Sequence, residues 1–166
     1  MKPDKMPPIV SIAGRSKIGK TTFLVKLVAE LTRRGYRIGV IKHSVHPFAF
    51  AEPGRDSWQH TQAGARAVAF ATANELAVTR QLDRELSIDE IARVLGDVDL
   101  VLTEGYKRAH KPKIEISRRE RGTDLVCRRE EIIAVVSNHP IDLSVPRYDL
   151  DDAAGVATFL EKRYLC

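Results

Sequence analysis

Pro8-Ile9-Val10-Ser11-Ile12-Ala13-Gly14-Arg15-Ser16-Lys17-Ile18-Gly19-Lys20-Thr21-Thr22 decides the fold of this chain. The first six residues are short, apolar and β-branched, which reads as a buried strand, and Gly14 closes it. Residues 14–21 then match G-x-x-x-x-G-K-[ST], and the match gains specificity because a strand precedes it and an amphipathic helix follows. Glycines let backbone N–H groups turn inward around phosphate oxygens, Lys20 brings a point charge to the β and γ phosphates, and Thr21 offers a hydroxyl to magnesium. Gly14, Arg15, Ser16, Lys17, Ile18, Gly19, Lys20, Thr21 and Thr22 are therefore expected to hold a nucleoside triphosphate with Mg2+. For Lys17 the alternative of a solvated loop residue stays open.

Working outward, Phe23, Leu24, Leu27, Val28 and Leu31 recur at helical spacing, with Gly35 placed as a helix stop. Residues 37–42 form a second strand, so the opening segment is a βαβ unit, which implies a parallel sheet. A long loop at 43–55 and a short helix at 57–63 follow. Residues 67–71 and 75–79 read as an antiparallel pair, and Ser87 opens a helix that ends at Gly96. Strands are expected at 98–103 and 132–136, and a terminal helix at 151–164. Residues 113–117 and 125–128 read as a second hairpin around the turn at 120–123. The fold class is thus α/β: one P-loop NTPase-like domain spanning 1–166, its mainly parallel sheet flanked by helices. Antiparallel hairpin insertions at 66–82 and 112–129 would form a small outer lobe or a dimer contact, because exposed strand edges need covering.

Composition narrows the function classes. The chain of 166 residues, 43% hydrophobic, suffices for one globular core, and 27 basic against 22 acidic residues give a charge of +5 that suits anionic partners. No apolar run reaches the roughly 18 residues of a membrane span, and the first eight residues lack a signal-peptide core. Cys127 and Cys166 make neither a disulfide framework nor a zinc spacing, so a cytoplasmic protein is expected.

Parallel sheets present ligands at strand C-terminal ends, which favours Glu104 over Asp99 as the carboxylate beside magnesium. Glu104 and Asp56 are the two candidates for catalytic duty, Thr21 and Glu104 the metal-facing pair. Asp56 reads equally well as a helix N-cap. His43, His46 and His60 make an incomplete metal site and fit contact with phosphates or an acidic ligand better. The run Lys107, Arg108, His110, Lys111, Lys113, Arg118, Arg119 and Arg121 is either a solvated face or an anion-binding or partner-docking rim. Its lack of aromatics beyond Tyr106 argues against nucleic acid as a partner. Ser137-Asn138-His139-Pro140 follows a buried strand where a base would be read, yet no Asn-Lys-x-Asp guanine signature is present.

Together these pieces resemble the molybdopterin-guanine dinucleotide biosynthesis protein B (MobB) family. The resemblance rests on residues 14–22, on Ile41-Lys42-His43 with His46, on Pro53-Gly54-Arg55-Asp56-Ser57, on Ala63-Gly64-Ala65, on residues 99–107 and on Pro112-Lys113-Ile114-Glu115. It implies a GTP-binding adapter with weak intrinsic hydrolysis, forming an intertwined homodimer. That adapter assists the guanylyltransferase converting molybdopterin to molybdopterin guanine dinucleotide, with the pterin itself a further candidate ligand. Glu52, Arg55 and Asn138 depart from the family pattern, and the last leaves base choice open. A small-molecule P-loop kinase, using Asp56 as base, is the competing expectation.

Overall fold

The computed structural model describes residues 6–44, 54 and 56–165. His46, Glu52, Pro53, Arg55 and Cys166, with most of the 43–55 loop, lie outside the described residues. Two compact units divide the chain: residues 1–43 with 88–166, and residues 44–87.

The larger unit is a six-stranded sheet. Its strands are β1 (Ile9–Gly14), β2 (Ile38–Lys42), β5 (Leu100–Glu104), β6 (Lys113–Ser117), β7 (Ile132–Ser137) and β8 (Arg147–Tyr148), in the order β2-β5-β1-β6-β7-β8. Every pairing is parallel. β2 does not lie beside β1, since β5 enters between them, aligning Ile12 with Glu104 on one side and Lys42 with Glu104 on the other.

Helices cover both faces, as a parallel sheet requires. α1 (Lys20–Arg33) lays Phe23, Leu24, Leu27 and Leu31 on the face that also receives Val156, Ala157 and Leu160 of α4 (Ala153–Leu160), over Val10, Ile12, Leu100 and Leu102. Burying a leucine such as Leu27 contributes roughly 1.5–3 kcal/mol. Arg34 staples the two helices, donating to Thr158 Oγ1 at 2.9 Å and Glu161 Oε2 at 2.5 Å. α3 (Ile88–Val94) packs Ile88 and Ala92 on the opposite face with Ile9, Ile41 and Val101. The terminal helix is shorter than read: after Leu160 the chain widens into π-type turns at Glu161–Leu165.

Residues 44–87 contain α2 (Asp56–Gln62) and the antiparallel pair β3 (Ala67–Ala71) and β4 (Leu76–Arg80), the strand pair read from the sequence. Phe70, Leu76 and Val78 on this pair are exposed.

The second insertion requires correction. Residues 112–129 make no hairpin: β6 pairs parallel with both β1 and β7, inside the main sheet, and no strand forms at 125–128. The alternation Lys-Ile-Glu-Ile-Ser looks like a half-solvated edge, yet all five residues are buried. The charges are satisfied internally. Lys113 Nζ donates to Ala109 O at 2.5 Å and Glu131 Oε2 at 2.6 Å, while Glu115 accepts the backbone N–H groups of Val126 and Cys127 at 2.6 and 3.0 Å. A buried charge is tolerated only when paired in this way.

No helix among the described residues is long and apolar enough to cross a membrane.

Candidate functional site

The loop between β1 and α1 is built by its backbone angles. Gly14 has φ +140°, and a Cβ there would lie 2.5 Å from the carbonyl oxygen of Ile116, so the strand-to-loop turn needs a residue with no side chain. Lys17 and Gly19 also take positive φ, Ser16 and Lys17 stand exposed, and Ile18 turns inward to join the core. Gly19 occupies the N-cap of α1 without a capping side chain, and no acidic residue stands in the first turn. The helix thus presents unneutralised N–H groups and its positive dipole end at the loop, the arrangement that favours an anion.

Lys20 is partly buried, and its ammonium donates to the carbonyl oxygens of Arg15 at 2.8 Å and Gly14 at 3.4 Å, curling over the loop. Burial holds its pKa below the ordinary lysine value; the Lys107 charge pushes the same way, Glu104 opposes, and Lys42 adds to the lowering. Lys20, Lys42 and Lys107 thus bring positive charge to the mouth of the loop, a setting suited to a polyanion.

Thr21 Oγ1 donates to Glu104 Oε1 at 2.6 Å, and Glu104 Oε2 faces Lys42 Nζ at 3.6 Å. The sheet order explains this meeting. β5 runs beside β1, so its last residue arrives against the first turn of α1. The turn after it, Gly105-Tyr106, uses positive φ at both residues, and the Tyr106 ring lies 5.1 Å from that of His43. Asp99, at the other end of β5, accepts from the Arg37 backbone N–H at 2.9 Å and pairs with its guanidinium at 2.8 Å, a structural role far from the loop. Thr22 is exposed one residue beyond Thr21.

The hydroxyl and carboxylate oxygens of Thr21 and Glu104 are hard donors, the chemistry that suits magnesium rather than a soft metal. Among the described residues no three His, Cys, Asp or Glu side chains cluster as metal ligands. A magnesium ion here would draw further oxygens from phosphates and water, as that ion commonly does. Asp56 opens α2 in the unit of residues 44–87 and is exposed, and His60 is exposed in the same helix.

Two arginines meet the glycine loop: Arg15, which the sequence already places in it, and Arg118, which the sequence reads only as part of a basic run. Arg118, just past β6, donates through Nε to Ile18 O at 2.8 Å and packs against Gly19. Arg15 lies over Gly122 and faces Asp124 at 3.6 Å. Placing residues 113–117 on a hairpin hid the Arg118 contact, because only a strand beside β1 delivers that residue to the loop. The remainder of the basic run divides: Lys111 pairs with Asp89 at 2.6 Å and Lys113 is wholly buried, so neither belongs to a solvated rim.

The family model described as molybdopterin guanine dinucleotide synthesis protein B, MobB, matches residues 9–138. The chain belongs to this family. A molybdopterin-guanine dinucleotide biosynthesis adapter protein of Haemophilus influenzae is 35% identical over 93% of this chain and 88% of its own length. Its Escherichia coli counterpart is likewise 35% identical, covering 93% and 92%. A crystal structure of MobB superposes with a TM-score of 0.72 at 31% identity over 93% of this chain and 99% of the other. The MobB of Bacillus subtilis reaches 0.70 at 28%, covering 93% and 97%. The match to MobB spans the loop, both site-bearing strands β1 and β5, and β6 and β7 with their exits.

Proposed function

We propose that this protein is a GTP-binding adapter in molybdenum cofactor biosynthesis, assisting the guanylyltransferase that converts molybdopterin to molybdopterin guanine dinucleotide. The observation that carries the nucleotide part is the 2.6 Å contact between Thr21 and Glu104 beside Lys20, at the mouth of an uncapped helix. The adapter part is supported by the names of its relatives in Haemophilus influenzae and Escherichia coli.

In this reading the loop N–H groups and Lys20 bind the phosphates, and Thr21 and Glu104 hold Mg2+ directly or through its water. Magnesium, when bound, neutralises charge on the β and γ oxygens. Glu104, held between Thr21 and Lys42, serves to orient rather than to take a proton, so hydrolysis is slow and binding is the working state. The exposed apolar residues Phe70, Leu76 and Val78 favour a homodimer, since a lone two-stranded sheet is marginal. The protein works in the cytoplasm.

Titrating GTP and ATP with wild type and Lys20→Ala, with magnesium and with EDTA, tests the phosphate assignment. Wild type should bind GTP in a magnesium-dependent manner, and Lys20→Ala should lose at least tenfold in affinity. Unchanged affinity in Lys20→Ala overturns the assignment. Stimulation of the guanylyltransferase by wild type and not by Lys20→Ala tests the adapter role.

A further inference from the structure

The sequence shows no Asn-Lys-x-Asp signature, yet the strand exits beside the phosphate loop bring the same chemistry together from two separate segments. Asn138 follows the last residue of β7, and Glu120 lies in the 3-10 turn Arg119–Arg121 that follows β6. The Asn138 side-chain amine donates to both Glu120 carboxylate oxygens, at 3.0 and 3.1 Å, and its carbonyl accepts the Arg119 backbone N–H at 2.9 Å. A backbone N–H can only donate and a carboxylate only accept, so the amide orientation is fixed by its partners. Both side chains are exposed, open to a ligand.

We propose that Glu120, positioned by Asn138, is the base-reading group of the nucleotide site and selects guanine. This rests on the phosphate-loop reading above. Location is the first argument. Gly14 registers with Ile116, and Ser117 with Ser137, so Asn138 stands two strands across from the loop on the same C-terminal edge of the sheet. At the spacing of neighbouring strands that is about 10 Å, within reach of a nucleoside whose phosphates lie on the loop. The turn is also tied to the phosphate loop, by Arg118 Nε on Ile18 O and by Arg15 packed on Gly122.

Chemistry is the second argument. Guanine presents two adjacent donors, N1–H and the 2-amino group, and a carboxylate accepts both; adenine presents an acceptor at N1 and is repelled. Glu120 keeps lone pairs free after accepting from Asn138. Its carboxyl is held below the usual range, chiefly by its own backbone N–H and then by Asn138, so it is ionised at neutral pH. Asn138 touches Glu120 and the turn, and is a positioning residue.

The test measures binding of GTP, ATP and xanthosine triphosphate (XTP) to wild type, Glu120→Gln, Asn138→Ala and Lys20→Ala. Wild type should prefer GTP. Glu120→Gln should lose about ten- to hundredfold for GTP, the range for a lost charge-assisted pair, and gain for XTP, whose 2-oxo group accepts from the new amide. Asn138→Ala should weaken GTP by a smaller factor and leave XTP unimproved. A gain for XTP cannot arise from damaged folding. If Lys20→Ala loses every nucleotide while Glu120→Gln keeps the wild-type order, the base-reading assignment is overturned and the phosphate loop stands. If wild type binds no nucleotide, the phosphate-loop reading is overturned and this assignment with it.

Discussion

Gly14→Ala places a methyl group 2.5 Å from the Ile116 carbonyl oxygen, a backbone atom of β6 with no freedom to swing away. Forced contact in a packed interior costs about 1–3 kcal/mol. A side chain at positive φ adds about 1–2 kcal/mol, and together they amount to roughly 2–5 kcal/mol. Domains of this kind hold only about 5–15 kcal/mol in total, so the loss is large. Gly35→Ala separates the two contributions. Gly35 also has positive φ, at +93°, where it ends α1, but a Cβ there meets nothing within 4 Å. It should cost only the conformational part, about 1–2 kcal/mol. Equilibrium urea unfolding of both variants gives the comparison as midpoint shifts at constant slope. Thermal midpoints should fall by about 2–4 °C per kcal/mol. Equal losses for the two variants, within about 0.5 kcal/mol, would refute the claim that β6 presses on the glycine loop.

Other substitutions probe the remaining contacts. Asp152→Ala removes the side chain that accepts Gly155 N–H at 2.8 Å at the start of α4 and should cost about 1 kcal/mol by urea unfolding. Glu131→Gln, which leaves the buried Lys113 ammonium short of its counter-charge, should lower the urea midpoint more than Lys113→Met does. The Glu30 carboxyl is held down to about 2 by hydrogen bonds from Arg33 and then Arg34. Its contribution is present above the ordinary value of 4.5 and lost as pH falls toward about 2, and a pH series of urea midpoints should show less acid loss in Glu30→Gln. Burial, then the Glu115 charge and hydrogen bond, raise the Cys127 thiol to about 12. In a Cys166→Ser background a thiol reagent at pH 8 should therefore react about a thousandfold more slowly than with a free cysteine.

Legibility followed from how local each feature is. The glycine loop, α1 and the place of Glu104 at a strand end were readable because each is written in consecutive residues: a glycine spacing, a helical apolar stripe, a strand ending in a carboxylate. Residues 113–117 were misread because alternating charge signals an exposed face, whereas Lys113 and Glu115 are neutralised by Glu131 and by backbone N–H groups contributed from distant positions. The placing of β5 between β1 and β2 was likewise invisible, since strand order depends on crossovers that no single window contains. β8, two residues long, carries no periodic signal at all. The contact of Arg118 with the glycine loop and the meeting of Glu120 with Asn138 became visible only once β6 was known to stand next to β1.

The insertion of β5 at the centre of the sheet also orders events in time. Ser11 on β1 and Thr103 on β5, joined by a buried 2.9 Å hydrogen bond, are 92 positions apart, and Thr21 and Glu104 are 83 apart. β1 finds no ladder partner in the first half of the chain; both its neighbours, β5 and β6, are made later. Contacts of such long range are slow to close and close together. During synthesis, then, the glycine loop exists long before its carboxylate does. On the proposed reading, competence to hold a metal-bound nucleotide would arrive in the same step that completes the sheet, and a captured nucleotide would then certify a finished fold.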